Sequence, residues 1–260
     1  QKVRRTTLTL APEAGTQRLR DVINKNVSEQ QLFEAVEAAF KSGWLSIKLY
    51  FMIGLPTETE EDLDGILNLL QEVKRIGDQY SPRPVEVRAS IACFVPKAHT
   101  PFQWQPQDSI EVLQQKINYM TRRRRKGIKL SFHDSRVSYL EGLIARGDRR
   151  LGQVIYKAWQ NGAVFDGWSE YFHFEYWQKA LAEAGIDPDF YVTRPRSYEE
   201  LLPWDFIDSG ISKAFLRHEN EKALRGETTL DCRLEDCTGC GVCPSFEVEV
   251  DLRGEIAGAH

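Results

Sequence analysis

Residues 45–66 read LSIKLYFMIGLPTETEEDLDGI, and this stretch decides the fold because an apolar run passes through a glycine–proline turn into a helix-type pattern. The apolar run predicts a buried strand. Thr57 is the predicted N-cap of the helix, and the acidic residues after it face the positive end of the helix dipole. The stretch is therefore typical of a β–α–β unit.

The same alternation continues on both sides. The sequence predicts a strand from Thr6 to Ala11, a helix from Ser28 to Ser42, a strand over residues 85–96, a helix from about Ser109 to Arg125 and a strand over residues 128–133. Strands separated by helices of this length imply parallel units, in a doubly wound sheet or an α/β barrel. Three and a half units are too few to close a barrel, so we expect open strand edges or a missing partner.

Three segments follow the predicted strands: APEAGT (11–16), MIGLPTET (52–59) and FVPKAHTPF (94–102). In an α/β barrel the ligand site lies at this carboxyl end of the strands. Small residues let a ligand approach the backbone closely. The three segments together predict a ligand site, although a well-built turn would explain any one of them alone.

Four of the five cysteines lie in one short run near the C-terminus, with spacing C-x4-C-x2-C-x2-C and a proline directly after: Cys232, Cys237, Cys240 and Cys243. Gly239 and Gly241 ease the tight turn that would bring the thiols to one side. The run resembles a ferredoxin loop and favours a [4Fe–4S] cluster over zinc, because structural zinc ligands usually come in two separated pairs. Zinc, a disulfide or free thiols remain alternatives. Cys93 is predicted to be a small buried hydrophobe.

Composition bounds the remaining possibilities. With 42% hydrophobic and 28% charged residues, the 260-residue chain can form one large or two smaller domains. No apolar stretch is long enough to cross a bilayer, so we expect no membrane partner, and reduced thiols favour the cytoplasm. A net charge of −4 gives no overall attraction to nucleic acid. Residues 122–126, RRRRK, could bind phosphate locally, but a solvated basic face at a helix end is the simpler interpretation.

A helical extension is predicted from about Ser135 to Arg225. Its aromatic residues are Trp159, Trp168, Phe172, Phe174, Tyr176, Trp177 and Trp204. We expect them to pack in a core rather than to form a substrate pocket or to stack nucleic-acid bases. His133 and Asp134 end the last predicted strand at the rim of the candidate site, where His133 is either a proton donor or a structural group.

Three ordered segments carry a family resemblance: APEAGTQRLRDVINKN (11–26), IKLYFMIGLPTETEEDLDGI (47–66) and FVPKAHTPFQW (94–104). Together they resemble the second half of the TIM-barrel-like catalytic domain of radical S-adenosylmethionine (SAM) proteins, in the group that carries a cobalamin-binding domain and whose reaction is largely unassigned. The resemblance implies an α/β fold: the C-terminal half of a radical SAM type partial (βα) barrel over residues 1–135, a helical extension over 136–225 and a cysteine-rich iron–sulfur tail over 226–260.

The resemblance also implies contacts to SAM. Its ribose and methionyl parts would meet Glu13, Thr16 and Arg18, and its adenine would lie beside Met52, Gly54 and Pro56. A local surface ion pair explains Glu13 and Arg18 equally well. Turn chemistry alone explains Gly54 and Pro56.

Radical SAM chemistry needs a C-x3-C-x2-C loop that leaves one iron open for SAM, and this sequence has no such loop. The resemblance therefore implies the C-terminal portion of a larger enzyme, not expected to be active alone. Its partners would be a missing N-terminal barrel half and a cobalamin-binding domain, and its tail would hold an auxiliary [4Fe–4S] cluster. An RNA-linked substrate is a further hypothesis. The alternatives are a ferredoxin-like electron-transfer module and a zinc-stapled RNA-binding module.

Overall fold

The structure is a computed structural model that describes residues 7–233 and 235–248. Four parallel strands form one sheet in the order β1-β2-β3-β4: β1 (Leu8–Glu13), β2 (Ser46–Ile53), β3 (Glu86–Cys93) and β4 (Ile128–Phe132). The helices are α1 (Gln17–Val22), α2 (Glu29–Lys41), α3 (Glu60–Tyr80), α4 (Ile110–Arg123), α5 (Ser135–Arg146), α6 (Leu151–Gln160), α7 (Phe174–Ala184), α8 (Lys213–Leu224) and α9 (Val242–Phe246), with a 3-10 helix at Pro101–Trp104. The predicted α/β class and parallel strand–helix alternation are confirmed.

One face of the sheet carries the main core. Alternate side chains of the strands, such as Ile47, Leu49 and Ile91, pack there against buried residues of α2, α3 and α4. All three connecting helices thus cover the same face, whereas a doubly wound sheet has helices on both. This one-sided cover does not fit the doubly wound alternative, and it fits both a singly wound open sheet and a segment of an α/β barrel.

The opposite face of the sheet is less covered. Lys48, Arg88 and Lys129 stand in register across β2, β3 and β4, and Glu86 forms ion pairs with Arg88 and Lys129. Tyr50, two residues further along β2, is 38% exposed. This face is therefore polar near the amino ends of the strands.

The predicted element bounds are mostly confirmed, with two corrections. Helix α2 begins after Ser28 as predicted, whereas α3 begins after Thr59 rather than Thr57. The helix begins later because Asp62 accepts hydrogen bonds from the Thr59 backbone N–H (2.8 Å) and hydroxyl (3.0 Å), forming a capping box. Strand β1 also extends two residues beyond its predicted end at Ala11, while its predicted start at Thr6 lies outside the described residues.

The register of β1 against β2 is irregular between Leu10 and Glu13. Pro12 lies in this interval and has no backbone N–H for the ladder, which an edge strand tolerates. The short helix α1 follows directly, and the sequence patterns did not predict it.

The helices after the sheet have cores of their own. Buried residues of α5, α6 and α7 pack with Tyr191 and Val192, and a separate cluster joins Trp104 to Trp204 and Leu216. Trp177 and Trp204 are buried as predicted.

The prediction of core packing is wrong for Trp159 and Trp168, which are 59% and 58% exposed. The buried residues of α6 are Leu151, Val154 and Ala158, so Trp159 lies outside the stripe that packs. Trp168 belongs to the loop before α7, where its ring meets Phe165 edge-on at the surface.

Cys93 is 7% exposed in the sheet core, which confirms the prediction of a small buried hydrophobe, and burial raises the pKa of its thiol. Among the described residues, no helix is both long and apolar enough to cross a membrane.

Candidate functional site

The loops at the carboxyl edge of the sheet have unusual backbone conformations. The end of β1 and the loops after β2 and β3 each hold one non-glycine residue with positive φ: Glu13 (68°), Thr57 (66°) and His99 (55°). Such conformations cost about 1–3 kcal/mol each and cluster at sites where a ligand or a switch needs them. The three adjoining loops therefore mark this edge as the candidate ligand site.

A buried carboxylate joins the first two of these loops. The side chain of Asp62, 2% exposed, accepts hydrogen bonds from the Thr16 hydroxyl, the Arg18 guanidinium and Thr59. Arg18 also donates to the Thr57 hydroxyl (3.0 Å) and carbonyl (2.9 Å). Burial alone would raise the pKa of Asp62, but these hydrogen bonds outweigh it and lower the pKa. We call these five residues the Asp62 network.

Two glycines let the loops approach this closely. A Cβ on Gly15 would lie 2.1 Å from the Asp62 carbonyl oxygen, and one on Gly65 would lie 2.8 Å from the Gly15 carbonyl oxygen. Neither gap accommodates a side chain. The loop after β1 thus rests directly on the first turns of α3.

A second buried carboxylate shapes the turn after β2. Glu58, whose side chain is 2% exposed, accepts the Gly54 N–H at 2.9 Å and pairs with Lys116 at 2.7 Å; Lys116 also reaches Asp108 at 2.6 Å. Burial raises the pKa of Glu58, an effect that Lys116 and Gly54 only partly offset. Burial alone would lower the pKa of Lys116, but its two carboxylate partners raise it.

The edge also has an apolar part. Met52 packs against a cluster that includes Leu19, Leu55, Phe94 and Phe102. The cluster joins the ends of β1, β2 and β3 and offers a surface on which a flat apolar group could rest.

All the residues predicted to contact SAM lie at this edge. Thr16 and Arg18 belong to the Asp62 network, and Glu13 pairs with Lys25 at 3.4 Å. Glu13 and Arg18 thus have separate ionic partners rather than each other. Gly54 has φ +82° and holds the turn through Glu58. Pro56 is half-buried beside it.

The four tail cysteines are free: Cys237 is exposed, and Cys232, Cys240 and Cys243 are half-buried. The Gly239 N–H donates to the Cys237 sulfur at 3.4 Å. Gly239 and Gly241 have φ of 75° and 95°, as the tight turn requires. The donor type suits a metal, but within residues 7–233 and 235–248 no three His, Cys, Asp or Glu side chains converge on one point.

The tail packs against the end of α1 and the start of α8. The Thr229 N–H donates to the Asn24 side chain at 3.0 Å, and the Ser212 N–H donates to the Cys240 carbonyl at 2.9 Å. A cavity of about 510 Å³ is lined by both Cys232 and His99. One of the four cysteines and the loop after β3 therefore share one cavity.

Other candidates from the sequence have structural roles. Asp134 caps α5 by accepting the Arg136 N–H at 2.8 Å, and His133 is exposed, with its backbone N–H bonded to Ile91.

Sequence reasoning missed the Asp62 network, Glu58 and Lys116. The spacing Thr59-x-x-Asp62 is a capping-box pattern that could have identified Asp62. The pairing of Glu58 with Lys116, 58 residues apart, leaves no local signal.

Comparisons with known proteins add a relative without an assigned activity. No protein-family model matches the chain, and no solved structure matches it. Over 150 residues the chain is 37% identical to an uncharacterized protein of Methanocaldococcus jannaschii. The match covers 57% of this chain and 32% of the relative, so the chain spans about a third of that relative's length.

Proposed function

We propose that this chain is part of a radical SAM iron–sulfur enzyme, which binds part of SAM at the carboxyl edge of the sheet and holds an auxiliary [4Fe–4S] cluster on Cys232, Cys237, Cys240 and Cys243. The observation that carries the proposal is that the three strained residues lie at one edge of the sheet, and that Cys232 of the tail lines one cavity with His99 in the loop after β3. Strain that neighbouring loops share is typical of ligand sites, and a thiol run of this spacing is typical of iron–sulfur clusters.

The polar part of SAM would bind at the loop after β1. The Thr16 and Arg18 side chains already donate hydrogen bonds to the Asp62 carboxylate, so their first role is to fix the backbone of the loop after β1. The Arg18 side chain is 47% exposed, so the solvent-facing part of its guanidinium group can still bind the carboxylate of the methionyl part of SAM. Glu13, at its strained position, would accept hydrogen bonds from ribose hydroxyls.

The adenine would rest on the apolar part of the edge. Met52 and Pro56 supply polarizable and rigid apolar contacts. Gly54 lacks a side chain where the chain turns, and Glu58 keeps that turn closed. These residues bind and orient the ligand and exclude water from one side of it.

The tail cysteines would hold the auxiliary cluster. A bound [4Fe–4S] cluster supplies one-electron transfer at a potential set by its ligands and hydrogen bonds. In this chain the Gly239 N–H is the hydrogen-bond donor to a cysteine sulfur. Holding the cluster requires the four sulfurs to draw together, and the two left-handed glycines permit that movement.

The less covered face of the sheet suggests what completes the site. We further propose that additional strands, a barrel half with its own C-x3-C-x2-C loop, cover this face, with a cobalamin-binding domain beside them, in a cytoplasmic protein. Lys48, Arg88 and Lys129 would then face a lumen, where polar side chains of a barrel are common.

SAM binding tests the first part of the proposal. We expect weak, saturable binding by equilibrium dialysis, because much of the site lies elsewhere. Met52→Ala should weaken binding about tenfold through lost apolar contact. Tyr50→Ala, on the same face but nearer the amino end, is the matched control and should leave binding unchanged. Equal losses in both variants, or no saturable binding, would contradict the proposed site.

A further inference from the structure

A groove runs between α3 and α4 on the helix-covered side of the sheet. Two adjoining cavities of about 750 and 530 Å³ form it, and both are lined by Arg122 and Arg123. The smaller cavity is also lined by Asn68, Arg124 and Arg125. We call the two cavities together the α3–α4 groove.

The charges at this groove are largely uncompensated. Residues 122–126 are five consecutive exposed cations. Arg123 pairs with Asp64 at 2.9 Å and lies over the Tyr119 ring at 4.1 Å. The side chains of the other four form no ion pair or hydrogen bond with any residue that the structure describes. Arg122, Arg124 and Arg125 line the groove and Lys126 follows directly after them, so four unpaired positive charges lie at or beside one end of the groove.

The helix dipole accounts for only some of these charges. Helix α4 ends at Arg123, and its C-cap Arg124 leaves the helical conformation with ψ of 132°. Arg122, Arg123 and the C-cap lie where cations suit the helix C-terminus. Arg125 and Lys126 lie beyond the cap, where the effect of the dipole falls off.

We propose that the α3–α4 groove binds the phosphodiester backbone of a single-stranded nucleic acid. Guanidinium groups match phosphate geometry, and a concave channel between two helices admits one strand.

The groove reads phosphates rather than bases. The Tyr119 ring is covered by Arg123, and its hydroxyl donates to Asp64 at 3.1 Å, so it is not free to stack on a base. The acidic residues at the groove do not oppose this. Asp64 is paired with Arg123 and Glu58 with Lys116, while Glu60 lines only the larger cavity, away from Arg124.

The salt dependence of binding follows from the charge count. Four unpaired cations on a single strand predict a slope of about −3 for log K against log salt, at about −0.7 per phosphate contact. The basic end of the groove shares no lining residue with the SAM contacts or with the cysteine tail, so the inference does not rest on the proposed function.

The test is fluorescence anisotropy with a labelled single-stranded RNA of mixed sequence and the full chain, at several salt concentrations. Arg124→Gln with Arg125→Gln should halve the slope to about −1.4. The matched control, Arg83→Gln with Arg149→Gln, removes two exposed positive charges elsewhere and should keep the slope of the unmodified chain. Iron content should be the same in all three proteins.

Any of four outcomes would overturn the inference: no RNA binding at low salt, equal losses in the two double variants, competition by polyglutamate as effective as by unlabelled RNA, or a strong preference for RNA over DNA. Single-stranded DNA of the same sequence should bind equally well, because only phosphates are contacted. A strong preference for RNA would contradict a backbone-only site.

Discussion

Asp62→Ala removes the carboxylate that joins the loop after β1 to the start of α3. Its side chain is 2% exposed and accepts hydrogen bonds from Thr16, Arg18 and Thr59. The substitution leaves these donors without their acceptor. We expect a measurable loss of stability, because the network joins the loop after β1 to the loop after β2 and the start of α3.

The magnitude follows from the separate contacts. Loss of the capping bond to Thr59 costs about 1 kcal/mol. Loss of the bond from Thr16 to a buried charge costs about 1.5 kcal/mol. The Arg18 side chain is 47% exposed, so its ion pair is discounted for solvent screening to about 0.5 kcal/mol. The sum predicts a fall of about 3 kcal/mol in the free energy of unfolding.

The assay is urea unfolding followed by far-ultraviolet circular dichroism. Asp78→Ala is the matched control, because Asp78 also lies on α3, pairs with Lys74 and is exposed at the surface. Its loss should cost less than about 0.5 kcal/mol. Equal destabilisation by the two substitutions would refute the role of the Asp62 network.

The pH dependence gives a second readout of the same network. Hydrogen bonds lower the pKa of Asp62 in the folded chain, so its contribution to stability is complete above its ordinary pKa of about 3.8 and is lost as the pH falls through the lower folded value. Asp62→Ala should therefore remove part of the acid-induced loss of stability.

Three further predictions concern packing and charge. Gly15→Ala should lower the free energy of unfolding by about 2 kcal/mol, because its Cβ would clash with the backbone of α3. In the same urea assay Gly152→Ala, whose Cβ would have nothing within 4 Å, should raise it by up to about 1 kcal/mol. Trp168→Ser should change the free energy of unfolding by less than about 0.5 kcal/mol, while Trp177→Ala should cost about 3–5 kcal/mol; similar costs would contradict their different burial. Because burial raises the pKa of Glu58, its ionisation in the folded chain costs stability as the pH rises above about 4.5. Glu58→Gln should remove that decline in a pH series of urea unfolding curves, and an unchanged decline would refute it.

The fold could be predicted because its signals are local. Apolar runs of strand length alternate with amphipathic helices, and Ser28 and Ser109 are caps that the sequence displays directly. The errors have local causes as well. At the start of α3 two threonines compete for the cap, because Thr57 precedes Glu60 by three residues and Thr59 precedes Asp62 by three; in the structure Thr59 and Asp62 form the capping box. Trp168 could not be assigned because a loop has no periodicity from which to infer a buried side.

The site was less predictable because its key contacts are long-range. The rule that α/β barrels bind ligands at the carboxyl ends of their strands is enough to predict segments 11–16, 52–59 and 94–102 as the site. The pairing of Arg18 with Asp62 depends on how two loops pack, and it gives this residue a structural role, while its contact with SAM stays a prediction. No spacing rule in the sequence brings Lys116 to Glu58. The role of the tail cysteines remains a prediction.

The proposed iron–sulfur tail is tested most directly by iron and sulfide analysis of this chain purified without oxygen. The account predicts about four irons and four sulfides per chain. Cys240→Ala should lose them, whereas Cys93→Ala, which removes a thiol buried in the sheet core, should keep them. Zinc without sulfide, or iron retained in Cys240→Ala, would contradict the account.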